Sequence, residues 1–591
     1  MKKLYYYISI VLMAVAGYSA AAQNLDPTVV VDRAYEGKLM EVHKPAQEMA
    51  VPDSVMRFDL DFDYSVFESP FKGSYEFNPY LLSMKPSAAT EKPGRFYLRA
   101  GAGYHLHPEL DLVWSPDLFK HEDGFSMDVY ARHRSFIGQY WDYEGMTGLQ
   151  RTDDTVSGHD LDSRAGVNLK YDWAQGAANM DLSYYGIHQG YSPSWGDVSR
   201  GYNAFDASFA VGSREYVPGL MYGLSGRYRF ANEVVRFKDD ANSMNENRLV
   251  VDGVIGGRLK GDDKLLLGVG MDFAGYAGQM EAAAAVLSFS PHYVIERERF
   301  RVDIGLKVMT SIVDTLDNVF VKNSKDQVVY PDVDLRYSIL PESLVMFFKA
   351  DGGSKLNSYS AILERNRHAV RKIYDIPLNF ELNHPYFPSG RYDMGVSVER
   401  ISLSAGLEGR IGRRFSWNLS GGYANLASGL LDVLEYVHVI DQQLEFRQFV
   451  PGFEYGKYQK GFATLALLWD SERFAADGTV IYTSSWGDAF DKSYTAIKPA
   501  AVTGDVSFEY NYRKRIFVGV NCAFSTSRKG GEMGVLSVPG YADLGLSAEY
   551  ITSRKLSLWL KGGNLLGMTI PYDLVYAQKG PYFTAGICLN L

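Results

Sequence analysis

The sequence is poor in three things, and each shortage removes a class of protein. It has only two cysteines in 591 residues, Cys522 and Cys588, too few for the disulfide framework that staples small secreted domains. Beyond residue 22 it has no run of about eighteen apolar residues, which excludes ordinary membrane-spanning helices. It also lacks net positive charge: the formal net charge is -10, which gives no support for a nucleic-acid partner, since phosphate binding calls for a basic face. Catalytic motifs are scarce as well. Gly190-Tyr191-Ser192-Pro193-Ser194 misses the last glycine of a nucleophile elbow, and no phosphate-cradling loop is present. No enzyme and no cofactor are expected.

What is abundant favours strands and tight turns: 42 Tyr, 32 Phe and 57 Gly. The start has the three parts of a secretory signal peptide, with Lys2 and Lys3, an apolar core from Ile8 to Ala16, and Ala20-Ala21-Ala22 before Gln23. Cleavage after Ala22 removes two lysines and no acid, and no cysteine follows it to carry a lipid anchor. Residues 23 to 94 carry Pro27, Pro45, Pro52, Pro70, Pro79, Pro86 and Pro93 with little alternation. They read as an extended periplasmic or lumenal segment. Within it Thr28, Val29, Val30 and Val31 form a β-prone stretch suited to pairing with a partner's sheet edge.

From Arg95 the pattern changes. Ala165, Val167, Leu169 and Tyr171 alternate with Arg164, Gly166, Asn168, Lys170 and Asp172, and Val302, Ile304, Leu306 and Val308 with Arg301, Asp303, Gly305 and Lys307. One face suits lipid; the other carries charges that only a watery or plugged interior tolerates. Short turns such as Gly261-Asp262-Asp263, Gly412-Arg413-Arg414 and Arg513-Lys514-Arg515 take turns with longer polar connections. The longer ones are Gly138 to Gly158, Gly190 to Arg200, Lys238 to Glu246, Asp314 to Gln327, Asp351 to Gly395, Ala427 to Tyr458 and Trp486 to Pro499. The expectation is an all-β fold: a large antiparallel transmembrane β-barrel over residues 95 to 591, with short periplasmic turns and long external loops. Counting back from Leu591, with Ala427 to Tyr458 as loop, gives about 22 strands in a range of roughly 16 to 24. The final strand, where Phe583, Ala585, Ile587, Leu589 and Leu591 alternate with polar or small residues, should close on the first.

Three late segments carry a resemblance: Val538-Pro539-Gly540-Tyr541-Ala542-Asp543-Leu544, Gly562-Gly563-Asn564-Leu565-Leu566-Gly567, and Gly580-Pro581-Tyr582-Phe583. Over about the last 55 residues the chain resembles the barrel of TonB-dependent receptors. The resemblance implies a Gram-negative outer membrane, contact with its lipid, delivery by the barrel-insertion machinery, and passage of solutes across it. Two departures stand out. The chain ends on Leu591 where those barrels usually end on an aromatic, and residues 23 to 94 amount to about half of the plug those receptors carry. Pro27 to Val31 looks like the short box through which the receptors meet TonB, so a TonB-like or other periplasmic partner is implied there.

The candidate site residues are of three kinds. Thr28 to Val31 form the partner strand. Inward charges Arg99, Arg164, Lys170, Asp172, Asp303 and Lys307 should set the field of the lumen. The longest loop offers Arg365, Arg367, His368, Arg371 and Lys372; folded inward it narrows the pore and attracts anions, folded outward it docks a surface protein or lipopolysaccharide phosphate. The non-plug leader and the several long external loops together lead to the rival reading, a membrane-anchored scaffold of a larger envelope assembly. Metal binding is not expected. His105, His107 and Glu109 read as a polar rim, and Asp153, Asp154, Asp160 and Asp162 as a solvated loop without the spacing of a calcium site. Tyr184, Tyr185, Trp195, Trp469 and Trp486 read as interfacial girdles.

Overall fold

The computed structural model describes residues 95–104, 107–116, 124–144, 150–191, 198–214, 219–237, 240–259, 263–278, 281–314, 329–341, 343–367, 394–441, 444–491, 496–530, 536–571, 577–578 and 580–591. Residues 1–94, with the expected signal peptide and Thr28 to Val31, lie outside them, as do His105, Trp195, His368, Arg371 and Lys372.

The alternating segments form the strands β1 (Phe96–Gly103), β2 (Glu109–Trp114), β3 (Phe125–Glu144), β4 (Gln150–Trp173), β5 (Gly176–Tyr191), β6 (Val198–Ser213), β7 (Leu220–Phe237) and β8 (Asp240–Arg258). They continue as β9 (Lys264–Gly278), β10 (Ala282–Glu296), β11 (Phe300–Asp314), β12 (Val329–Leu340), β13 (Leu344–Asn357), β14 (Gly395–Ile411) and β15 (Phe415–Asp441). The last are β16 (Leu444–Asp470), β17 (Phe474–Trp486), β18 (Val502–Tyr512), β19 (Ile516–Ser525), β20 (Tyr541–Ser553), β21 (Leu556–Gly563) and β22 (Tyr582–Asn590). Each pairs antiparallel with its neighbours, and β22 returns to β1 through Leu98↔Leu589, Ala100↔Ile587 and Gly101↔Gly586. Phe96 and Leu591 exchange backbone hydrogen bonds of 2.9 and 2.8 Å. The result is a closed 22-stranded antiparallel barrel.

Closure depends on small residues at the seam. A Cβ on Gly586 would lie 2.0 Å from the Ala100 carbonyl oxygen, and one on Gly101 would lie 2.4 Å from the Trp559 ring. With both positions bare, Trp559 packs over the seam, 3% exposed, and the Arg99 guanidinium rests 4.1 Å from its ring centroid.

The two faces differ as hydrocarbon and water require. Along β7 the outward residues Leu220, Tyr222, Leu224, Tyr228 and Phe230 are exposed while Arg229, Ala231 and Glu233 are buried inside. From Leu220 to Phe230 the strand rises roughly 33 Å, about 25 Å along the barrel axis at the usual tilt, the height of a membrane belt. Rings mark the turn-side edge of this belt: Phe415 against Trp469 and Trp469 against Phe474, both at 6.0 Å, and Tyr171 against Trp173 at 5.8 Å. Its far edge is marked by outward polar pairs: the Tyr184 hydroxyl donates to Asn203 (2.6 Å), the Tyr228 hydroxyl to Asn247 (2.8 Å), and the Asn232 amide to Asn245 (2.8 Å). Beyond that edge the outward surface no longer needs lipid. Trp469 and Trp486 stand on the outer face, but Tyr185 faces inward and packs in the core. It is therefore no girdle residue: it packs against the lumen cluster that holds Ile187 and Tyr202.

The turns at the first edge are tight. Residues 513–515 join β18 to β19; Arg513 and Lys514 there have left-handed φ of 55° and 56°, and Asn511 accepts the Lys514 N–H at 2.7 Å. At another turn Arg297 (2.6 Å) and the Tyr293 hydroxyl (2.8 Å) hold the Asp263 carboxyl below its ordinary range.

Several expected loops are strand instead. Ala427 to Tyr458 continues β15 and β16 to Asp441 and Leu444, with only residues 442–443 outside the description. Beyond Leu426 this ribbon runs on for roughly 50 Å, well above the belt. Residues 138–144 and 150–158 likewise extend β3 and β4, and residues 240–246 extend β8. The polar composition reflected protrusion into water, not loss of pairing, and the strand count is unaffected because each extension lengthens strands already counted.

Leu558 is 48% exposed on the outer face and Asn521 is exposed on the inner one. We predict that Leu558→Arg costs roughly 2 to 4 kcal/mol in equilibrium refolding into liposomes, while Asn521→Arg changes stability by only about 0.5 kcal/mol. Equal effects would mean that the facing is reversed.

Candidate functional site

The inner face is filled on one side by the segment after β13. Ser358 caps the helix α1 (Tyr359–Arg365), its hydroxyl oxygen accepting the Ala361 N–H at 3.3 Å. Tyr359, Ile362 and Leu363 recur at the spacing of one helical face, and all three are at most 3% exposed. The apolar cluster they join includes Ile187 of β5, Tyr202 of β6, Ala231 of β7, Met244 of β8, Ala274 of β9 and Phe453 of β16. It takes at least one residue from every strand between β5 and β16, counting Met309 on β11. A helix touching so many consecutive strands of a closed barrel lies inside it. The neighbouring outward residues Asn203, Asn232 and Asn245 put α1 at the level of the external membrane edge.

Buried polar groups fasten the helix. Glu246, 1% exposed, accepts the Ser360 N–H at 3.1 Å and the Ser360 hydroxyl. Glu233, also 1% exposed, accepts the Tyr359 hydroxyl and pairs with Arg200 at 3.0 Å. Arg248 grips Asp272 with two bonds of 3.0 and 2.8 Å and donates to Ser358 at 3.1 Å. Arg229 does the same to Asp206 (2.6 and 2.9 Å) and reaches Glu364 at 2.8 Å. Carboxylates this deep persist only when paired and hydrogen-bonded. The wall presents the partners that α1 needs.

The loop cations are engaged by the same wall. Arg367 pairs with Asp162 and lies 3.8 Å from Asp160, while Arg365 meets Asp432 at 3.0 Å. Both guanidinium groups are thus neutralised by the barrel's own acids, which removes them as the expected lure for anions. Asp160 and Asp162 stand on β4, facing the lumen, and not in a solvated loop. His107 is packed between rings, 4.4 Å from Tyr582 and 4.7 Å from Phe136, and Glu109 neighbours Lys561 at 3.5 Å.

The six inward charges are for the most part locally matched. Lys170 pairs with Asp172 (3.1 Å), Asp303 with His292 (2.9 Å), and Lys307 with Asp332 (3.4 Å) and Asp351 (2.8 Å). Arg99 lies on Trp559, and Arg164 shares the inner face of β4 with Asp162. The unbalanced charge is elsewhere. Asp477 on β17, Asp505 and Glu509 on β18, and Glu549 on β20 face the lumen with no ion pair among the described residues; Asp477 and Glu549 accept only hydroxyls, from Ser507 and Ser557. Their signal was present in Val502–Tyr512, where Asp505, Ser507 and Glu509 alternate with Val506, Phe508 and Tyr510. These acids occupy the stretch of wall that α1 does not touch. Towards the short turns, a cavity of about 400 Å³ under α1 is lined by Asp181, Arg227, Arg229, Arg248, Asp252 and Glu364.

No family model matches the chain, and no curated protein matches it in sequence. Solved structures do match in shape. A mutant of the ferric enterobactin receptor PfeA from Pseudomonas aeruginosa aligns over 85% of this chain and 81% of its own, with 11% identity and a TM-score of 0.56. The copper transporter OprC aligns over 85% and 81% (11% identity, TM-score 0.58), and the FrpB iron transporter from Neisseria meningitidis over 85% and 82% (10% identity, TM-score 0.57). The fold is the barrel of the TonB-dependent receptors. In this TonB-dependent-receptor-like barrel the chain's own helix α1 fills part of the lumen.

Removing a buried acceptor should free that helix. In a background with Cys522 and Cys588 replaced by Ser, Glu246→Ala leaves the Ser360 donors without their acceptor, a loss of about 1 to 3 kcal/mol. Labelling of Ile362→Cys by a water-soluble maleimide should then rise sharply over the same cysteine in the Glu246 parent. Unchanged labelling would mean that Glu246 does not hold α1.

Proposed function

We propose that this chain is exported to a Gram-negative outer membrane and passes a solute along the part of its lumen that α1 leaves unfilled. The observation that carries this reading is the uneven inner wall. Over β5 to β16 Arg200, Arg229 and Arg248 pair with acids around α1, whereas over β17 to β20 Asp477, Asp505, Glu509 and Glu549 face the interior with no cation paired to them among the described residues. Carboxylates that lack ion pairs keep their charge cheaply only where water reaches them, and a wall of one sign favours entry of the opposite sign. The reading is therefore passage of cations or positively charged complexes. Structural neighbours named for copper, iron and ferric enterobactin agree with traffic in metals, and Thr28 to Val31 supply a segment able to add to the sheet of a TonB-like periplasmic partner.

A KCl gradient across a planar bilayer tests this with the purified chain and a variant lacking residues 24 to 94. The reversal potential should have the sign of cation preference, and Asp505→Asn with Glu509→Gln should move it towards zero. Absence of conductance from both proteins would overturn the reading.

The ribbon of β15 and β16 favours a second reading, a membrane-anchored scaffold. Its paired strands reach far beyond the belt, where solute passage has no use for them and a surface protein can dock. Purification from native outer membranes in mild detergent should then recover a stoichiometric partner that is lost when residues 436 to 449 are replaced by a short turn. Recovery of the barrel alone counts against it.

A further inference from the structure

We propose that Asp432 is the clasp of an external gate, joining α1 to the connection that rises from the acidic wall. The proposal rests on the passage reading and adds the element that controls it. The Asp432 carboxylate divides its oxygens between two cations: Arg365 of α1 at 3.0 Å on one and Arg528 at 3.5 Å on the other. Arg528 belongs to the connection between β19 and β20, directly above the wall that carries Asp505 and Glu509. Arg365 belongs to the helix packed on the opposite wall. Asp432 lies on the extension of β15, so three separate parts of the external side meet at one carboxylate.

The backbone follows the same route. Asp432 pairs with Ile497 of the connection between β17 and β18, Ile497 pairs with Gly530, and Arg528 pairs with Val538. A small sheet therefore leads from the ribbon to the loop on the side of the lumen that α1 does not touch. Phe453, under the Arg365 guanidinium at 5.4 Å, completes the junction.

The chemistry of the junction suits a gate better than a core. The anchors of α1 at Glu233 and Glu246 are almost wholly buried, whereas the side chains of Arg365, Asp432 and Arg528 are 44%, 26% and 22% exposed. An ion pair that water reaches holds weakly and exchanges readily with solvent. It is also asymmetric: two guanidinium groups converge on one acid, so losing the acid's charge leaves two cations facing each other. The side-chain junction between Arg365 and Arg528 has one point of failure, while the backbone pairing of Asp432 with Ile497 holds the connection to the ribbon. Release of Asp432 leaves α1 on its wall and parts it from the Arg528 connection, opening the mouth above Asp505 and Glu509.

The test combines single-channel recording with a distance. Asp432→Asn and Arg528→Gln are reconstituted as full chains beside the wild type and Asp334→Asn, a control on β12 that removes a lumen carboxylate paired with Arg336 (3.3 Å) and Lys349 (3.5 Å), remote from the junction. Asp432→Asn should raise open probability about fivefold, the worth of one such exposed pair, and Arg528→Gln should raise it in the same direction; the control should not. Spin labels at positions 366 and 529, with Cys522 and Cys588 replaced by Ser, should show a longer and broader distance in both junction variants. A longer distance with no conductance from any protein keeps the clasp and removes the passage reading. Wild-type conductance with unchanged distance and open probability in Arg528→Gln and in any folded Asp432→Asn overturns the clasp.

Discussion

Everything in this protein depends on the closure of the sheet between β1 and β22. In hydrocarbon each backbone N–H and C=O must find its partner within the protein, so a sheet with an open edge cannot cross a membrane. The exchange between Phe96 and Leu591 and the ladder up to Gly103 and Thr584 remove the last edge. Closure then imposes two environments on every strand. Leucines, isoleucines and aromatics turn outwards, and charges turn into a shared interior where each must find water or a partner.

The interior resolves that demand differently on its two sides. From β5 to β16 the wall offers Glu233, Glu246, Arg229 and Arg248 at positions that match Tyr359, Ser360, Glu364 and Ser358. A seven-residue helix, too short to be stable alone, becomes ordered because its apolar face and its polar donors are both met. From β17 to β20 nothing described covers the wall, and Asp477, Asp505, Glu509 and Glu549 have no cation paired to them among the described residues. The contrast makes an eccentric lumen, filled on one flank and charged on the other.

The external side repeats the contrast on a smaller scale. Deep carboxylates hold α1 to its wall, and one shallow carboxylate, Asp432, links it to the connections above the opposite wall. Buried pairs are costly to break and set the permanent architecture; exposed ones are weak and suit an element that moves. The same residue chemistry serves both ends because burial decides its strength.

Membrane-facing structure was legible in the chain, because a strand's side chains alternate with period two and lipid accepts only one of the two sets. The segments around Leu169, Ile304 and Leu558 announce their outer face, the short turns announce the periplasmic edge, and the final alternation announces closure. Residues such as Tyr185 and Asp160 were misread because local sequence cannot say whether an aromatic near a strand end meets lipid or lumen, or whether polar residues leave a sheet or prolong it above the bilayer. Likewise the loop cations looked available because their acids lie far away in the chain: Asp162 is on β4 and Asp432 on β15, brought to Arg367 and Arg365 only by the barrel. The sequence by itself determined an all-β, two-faced chain of about 22 strands, since those features rest on local periodicity and turn chemistry. Only the tertiary structure decided which charges cancel, where α1 lodges and which acids stay unmatched, since those depend on contacts between residues that closure, and not sequence distance, makes neighbours.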